Sequence, residues 1–508
     1  MRNAFPALCS LALLSGGVPA HASPVGDTAA VAPSTIANAI RSQAGTLGSF
    51  YAERNYAPLW FDGSRLSASG AALRALLQSA PVDGLAIDRS VLEQLDSLDS
   101  ELGEMSPGAL ASAELTFARE FIRVANLMRQ PSGSMQYLQP GLTPRPLAAS
   151  ELLRGAAGKS AGEYVQQMRW MHPQFRNLRA AMVRYQDRWL KLPQVTLPPS
   201  LKVQESASGA GVTLLRQRLG LAPGDQFNAE LKVALQDFQA DHGLSPDGVV
   251  GSSTIAALNT GSQDNLRVMR INLERARNLP GVDTRHVTVN AAAAELAYYE
   301  GGGLKGSMRV IVGTRATQTP EVSGYIHYVT FNPYWNVPVD LVRKNIAPSV
   351  AKGAPLKATY ELLSDWNADA RLIEASSVDW KAVLEGTEQV RLRQLPGPGN
   401  AMGRVKFNFA NEVGIYLHDT PDKSLFNRPV RQLSNGCIRL EDASRVVEWL
   451  AGGQSATVDG GPEQHRPLPA PVPVYATYLT ALATDRGVTF LKDVYGRDGV
   501  RPGQIAAR

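Results

Sequence analysis

Two periodicities divide the chain. Apolar residues recur at helical spacing at Leu73, Leu76 and Leu77, then at Leu115, Ala118, Ile122 and Ala125, and again at Phe175, Leu178, Met182, Tyr185 and Trp189. This predicts an all-α region over 35–192, opened by the aromatic-rich run Phe50–Phe61. Pro193, Pro198 and Pro199 with Ser206–Gly211 break the pattern, marking a linker over 193–210. Shorter stripes follow at Val212, Leu215 and Leu219, at Leu231, Leu235 and Phe238, and at Ile255 and Leu258. They predict three short helices around the turn-rich loop Gly243–Gly251, a compact unit over 211–260. Leu266, Met269 and Leu273 suggest one more helix within 261–285. From His286 the period changes to two: Val287 and Val289, Leu296 and Tyr298, a turn at Gly301–Gly303, then Met308, Val310 and Val312. Strands dominate 286–498, closing with Pro473–Tyr478 and Val488–Phe490. They are interrupted over 346–390 by a more polar stretch with a helical middle that includes Tyr360, Trp366 and Trp380. Residues 499–508 read as a tail.

With 508 residues, the chain can hold about three domains, each with its own core. An apolar fraction of 44% with 19% charged suits a globular protein. The net charge of +5 would suit an acidic polymer, and no Lys/Arg run marks nucleic acid. At the N-terminus Arg2 precedes an apolar run through Leu8, Leu11, Leu13 and Leu14, followed by Ala20-His21-Ala22. This predicts a cleaved signal peptide over 1–22 and export to the periplasm, with a flexible leader over 23–34. No later stretch has the length and apolarity of a stable membrane span. Cys9 would leave with the peptide, so Cys437 would stand alone in an oxidising compartment, where an unpaired cysteine suggests a reactive thiol.

The candidate chemistry lies in Tyr416-Leu417-His418-Asp419-Thr420-Pro421 and Ser434-Asn435-Gly436-Cys437-Ile438-Arg439. A thiol becomes a strong nucleophile only as thiolate, and at a pKa of about 8.5 only a few per cent is ionised at neutral pH. A base or cation beside Cys437 is needed, and His418 as imidazolium is the candidate. Gly414–Leu417 reads as a buried strand delivering His418 at its end. Ser434-Asn435-Gly436 reads as a tight turn that bares the cysteine N–H for an oxyanion. Asp419 would point away from a neighbour on the same strand, so a backbone carbonyl is the alternative orienting group for His418. No His-Glu-X-X-His pattern or Walker lysine accompanies these residues.

These two segments resemble the catalytic signature of the L,D-transpeptidases, the YkuD domain: a histidine followed at this spacing by Ser-X-Gly-Cys-X-Arg. The wider run Gly414–Arg439 resembles the large YcbB-type members, as do Gly313 with Thr319-Pro320, Asn332–Pro338, Arg393–Ala401 and Lys406-Phe407. Leu215–Leu219, Ala234–Gln239, Gly243-Leu244 and Asp247–Gly251 resemble a small peptidoglycan-binding domain.

The resemblance implies a multi-domain fold. An all-α scaffold domain (35–192) would be rejoined by the 261–285 helix around the inserted binding module. A mainly β, β-sandwich-like catalytic domain (286–498) would carry a partly helical capping insertion (346–390). It implies cysteine acyl transfer with Cys437 as nucleophile, His418 as general acid and base, and backbone N–H groups at Gly436 and Cys437 holding the oxyanion. Tyr416, Arg439, Ser434, Asn435, Trp335 and Asn336 are the candidate substrate-binding residues; Arg439 could instead brace the turn, and Asn435 stands where many members carry a second histidine. The implied substrates are peptidoglycan stem peptides on their glycan, joined as 3-3 cross-links with release of D-Ala. No cofactor or metal is implied, and carbapenem-type inhibitors would react at the cysteine. A stem-peptide carboxypeptidase or endopeptidase on the same fold, and a non-catalytic wall-binding scaffold, are the alternatives.

Overall fold

The computed structural model describes residues 33–499 except 64, 102, 161, 282, 410, 412, 413 and 453–459. The expected signal peptide, all but the end of the leader, and nearly all of the tail lie outside the described residues.

The first region is helical, and its caps are written in the sequence. Ser67 and Ser106 accept from the N–H groups of Gly70 and Ala109 to start helices Ala68–Ser79 and Pro107–Met128, the second with proline in its first turn. The aromatic opening is fixed to the long helix by one buried carboxyl. Glu114 accepts from Tyr51 Oη at 2.7 Å and from the backbone N–H groups of Leu59 and Trp60 at 2.6 and 3.0 Å. Trp60, Phe121 and Trp170 then meet edge to face, so the periodic stripes form one core.

The compact unit comprises helices Ala210–Arg218, Ala229–Asp241 and Ser252–Asn259. Gln239 holds its turn-rich loop, donating to Asp247 and the Val249 carbonyl and accepting from the Gly248 N–H. Helix Ser262–Ala276 packs on helix Pro173–Trp189 and also reaches the strand-rich region: Asn272 exchanges hydrogen bonds with Thr480, and Arg275 pairs with Asp498 at 2.7 Å.

The mainly β region is built on one mixed sheet, beside which Ala481–Ala483 and Val488–Phe490 form a small hairpin. The pairing path of the mixed sheet runs Val405–Asn408, Leu417–His418, Ile438–Leu440, Gly303–Gly313, Glu295–Glu300, His286–Asn290, Gln464–Thr477 and Val322–Phe331. The last strand pairs again with Val405–Asn408, so the path closes on itself. Gln136–Tyr137 from the helical region adds parallel to Val322–Phe331, a junction too short for any periodicity to reveal. Within the insertion a separate antiparallel sheet runs Leu372–Ile373, Tyr360–Leu363, Arg391–Gln394, Trp335–Val337, with its own core of Val337, Val342, Leu362, Trp380, Val383 and Leu392. This unit is wider than 346–390 because its two bounding strands alternate like those of the main sheet. Among the described residues no helix is long and apolar enough to cross a membrane.

Candidate active site

Strand register assembles the site. Lys406 lies opposite both His418 and Thr330, His418 is paired with Arg439, and Thr330 with His465. Paired residues share a face, so His465, Thr330, Lys406, His418 and Arg439 form a polar row across five strands. The intervening residues Val329, Phe331, Val405, Phe407, Leu417, Ile438 and Leu440 point the other way into the apolar core. Cys437 comes just before its strand, where the Ile438 N–H donates to the Tyr416 carbonyl at 2.8 Å and keeps the two chains in step. Tyr416 and Cys437 therefore stand beside the row on the same face, and His418 and Cys437 are diagonal neighbours. That spacing, about 7–8 Å between backbones, is within reach of an imidazole.

His418 is 4% exposed, and its Nδ1 lies 2.5 Å from the carbonyl oxygen of Asp419. A carbonyl only accepts, so Nδ1 carries the proton and Nε2 keeps its lone pair. The Asp419 side chain is committed elsewhere, accepting from the Arg404 N–H at 2.9 Å and pairing with Lys423 at 2.6 Å. The backbone alternative for orienting the imidazole is thus the arrangement present. The half-buried Cys437 thiol donates to the Gly414 carbonyl at 3.6 Å.

Residues 284–472 match the YkuD family, described as "L,D-transpeptidase catalytic domain"; 45–182 match a "Scaffold domain", and 209–258 a "Putative peptidoglycan binding domain". A protein of Haemophilus influenzae described as "Putative L,D-transpeptidase" is 30% identical over 247 residues, 47% of this chain and 50% of that one, so the match spans about half of each. Among solved structures, the L,D-transpeptidase of Xylanimonas cellulosilytica is 16% identical with a TM-score of 0.18, covering 55% of this chain and 98% of its own. A fused Zn-dependent amidase/peptidase/peptidoglycan-binding protein of Clostridium acetobutylicum is 13% identical with a TM-score of 0.16, covering 54% and 99%. Likenesses this distant say nothing of the chemistry at Cys437.

The chain carries a YkuD L,D-transpeptidase catalytic domain beside a peptidoglycan-binding domain.

In the transpeptidase domain the cysteine turn is braced from within and from behind. Ser434 Oγ donates to the Cys437 carbonyl at 2.6 Å and accepts from the Gly436 N–H at 3.1 Å. Thr319 Oγ1 donates to the Gly436 carbonyl at 2.7 Å and accepts from the Gly313 N–H, and Thr317 Oγ1 donates to the Ser434 carbonyl at 3.0 Å. Only glycine suits position 436: its φ is +112°, and a Cβ would lie 2.9 Å from Ile415 Cδ1. One expectation changes here. The Gly436 N–H is spent on Ser434, so the backbone donor left for an oxyanion is that of Cys437. Ser434 holds the turn.

A second expectation also changes. Burial, the Arg439 guanidinium and the Lys406 ammonium push His418 down to about 4, so it is a neutral imidazole at pH 7 and not the imidazolium partner of a thiolate. Burial pushes the Cys437 thiol up, while Lys406 and Arg439 pull it down. The positive charge around the sulfur belongs to those two side chains. Lys406 is legible in the sequence only as part of a family-like run; its Nζ lies 3.7 Å from the Tyr416 ring centroid, and burial lowers its pKa.

The remaining candidates are dispersed. Tyr416 faces the site, half-buried, with burial raising its pKa; Asn435 is exposed at the tip of the turn. Trp335 and Asn336 belong to the insertion's sheet, opposite Gln394 and Arg393, where Trp335 packs on that sheet's core and Asn336 is exposed. The register therefore leaves these two out of the polar row. Among the described residues no group of three or more His, Cys, Asp or Glu could hold a metal ion.

Proposed function

We propose that this chain is an exported cysteine acyltransferase of the periplasm that forms 3-3 cross-links between peptidoglycan stem peptides and releases D-Ala. The observation that supports it most is His418 fixed as its Nδ1–H tautomer, with Nε2 free on the face it shares with Cys437. Nε2 takes the thiol proton as sulfur attacks the carbonyl of stem residue three, and the Cys437 N–H holds the tetrahedral oxyanion. When the C–N bond breaks, the same imidazole gives that proton to the departing D-Ala amine, leaving a thioester. The side-chain amine of a neighbouring stem then attacks the thioester and passes its proton to Nε2. The returning thiolate recovers it, and an amide remains. A neutral imidazole suits this cycle, because it must accept a proton at the start of each half. Tyr416 and Arg439, on the same face, would meet the donor stem, and the binding module would hold its glycan.

Purified muropeptides incubated with the protein should give cross-linked dimers and free D-Ala by mass spectrometry. Cys437→Ala should abolish both while leaving the thermal midpoint within a degree or two. Shortened monomers without dimers would replace transfer by hydrolysis, and an unchanged product pattern in Cys437→Ala would overturn the mechanism. A carbapenem should add to Cys437 as one intact-mass adduct.

A further inference from the structure

Arg439 and Lys406 flank His418 in the row, and both lack an acidic partner. The Nε of Arg439 is buried without a hydrogen-bond acceptor, and among the described residues neither cation forms an ion pair with a carboxylate. Of the acids nearby, Asp422 accepts from Ser424 at 2.6 Å, Asp419 is held by Lys423, and Glu463, exposed just before the strand Gln464–Thr477, acts on Lys406 through its charge without forming an ion pair with it. Tyr416 offers Lys406 the face of its ring and no carboxylate. Removing positive charge from water is costly unless an anion arrives, so two half-buried, uncommitted cations on one face constitute a site waiting for negative charge.

We propose that Lys406 and Arg439 form a carboxylate cradle beside Cys437, which selects an acyl donor bearing a free carboxylate on the leaving side of the attacked carbonyl. The geometry puts the two cations on either side of the imidazole that protonates the leaving amine. A carboxylate one carbon from that amine lies within their span, whereas an amide or a further residue would leave the charges uncompensated. Arg supplies a planar fork and Lys a point charge, a pairing suited to the two oxygens of one carboxylate. The choice of donor rests on the proposed transferase reaction; the cradle itself does not.

The probe is therefore a pair of alkylating agents, iodoacetate and iodoacetamide. Both form the same S–C bond with loss of iodide and differ in one carboxylate. Rates are followed at Cys437 by peptide mass mapping of the full chain at pH 7.5. The iodoacetate-to-iodoacetamide rate ratio should exceed that of free cysteine. It should fall about tenfold in Lys406→Met, the size of one charge-assisted hydrogen bond, and return in Lys406→Arg. Rates that fall together with an unchanged ratio would overturn the cradle and assign both cations to the sulfur. A ratio equal to that of free cysteine in the wild type would overturn it outright. In a second arm, the ratio of tetrapeptide to tetrapeptide-amide turnover should fall in Lys406→Met and return in Lys406→Arg, whatever the loss common to both donors. If the alkylation ratio behaves as expected while the wild type processes no muropeptide, the cradle stands and the transferase reading falls.

Discussion

His418 shows how the same side chain acquires a different role once its surroundings are known. As a solvent-exposed imidazole it would titrate near 6.5, and as the partner of a thiolate it would be pushed higher. Here it is enclosed, with Arg439 beside it and Lys406 opposite, and sits at about 4. A base of that strength is ready to accept a proton over the whole physiological range, and its conjugate acid gives the proton up readily to a leaving amine. The acidic limb of the kcat/KM profile should therefore lie near pH 4 to 5 rather than 6.5. Removing a neighbouring cation lets the ring protonate sooner, so Arg439→Met should move that limb upward by a measurable fraction of a pH unit. A limb near 6.5 in the wild type would mean that solvent reaches the imidazole.

At the scale of elements, the site depends on strands and turns holding two short segments in register. Gly403 has φ +63°, and a Cβ there would lie 2.5–2.6 Å from the Asp419 carboxyl group, which in turn fixes the backbone whose carbonyl orients His418. Gly403→Ala should cost about 1–2 kcal/mol from the left-handed conformation alone, read from the denaturant midpoint. It should also reduce turnover, as Asp419 shifts. Thr319→Val keeps the shape but leaves the Gly436 carbonyl and the Gly313 N–H without their buried partner. A loss of about 1–3 kcal/mol is expected, with slower acylation by a carbapenem.

These two positions also mark where the sequence ceases to be readable. Local pattern is enough for the helices of the scaffold and for the turn before Cys437, because each depends on neighbours in the chain, whereas of the expected strand Gly414–Leu417 only Leu417, with His418, is paired as one. Lys406 is not readable as a site residue, because only pairing across strands 12 residues apart sets it opposite His418. Likewise, the commitment of the Gly436 N–H to Ser434 is a matter of turn geometry, and the neutral state of His418 a matter of burial. Neither leaves a trace in spacing. The Gln136–Tyr137 strand escapes sequence reasoning because two residues have no period.

For the molecule as a whole, buried histidines mark the joints between regions. His172 caps helix Pro173–Trp189, and its ring meets His286 and Tyr299 of the catalytic sheet at 5.4 and 5.0 Å between centroids. His286 stacks on Tyr299 at 4.8 Å. His242 ends a helix of the binding module, stacked on Phe238 at 3.9 Å and hydrogen bonded to Tyr185 of the scaffold. Nearby, Gly487 of the closing hairpin leaves no room for a Cβ against the Asp241 backbone. Burial pushes His242 and His286 down to about 4, and drives His172 well below its usual value. In the unfolded chain all would titrate near 6.5, so between the two values the unfolded state binds more protons. Stability is then fully present above pH 6.5 and is lost as pH falls toward 4, each shift of this size being worth about 3 kcal/mol. Glu114, raised to about 7 by its burial, works in the opposite sense, since it takes up a proton in the fold below that pH and offsets roughly one histidine. His418 adds to the loss, while Asp241 and Glu321, both raised by burial, join Glu114 on the other side; the four histidines outnumber these three carboxyls, so the balance favours acid destabilisation. The thermal midpoint should fall steadily from pH 7 to pH 4.5, and His286→Phe and His242→Phe, which retain an aromatic ring at each joint, should each flatten that slope. If both variants keep the wild-type slope, the proton uptake lies elsewhere and the joints are not its source.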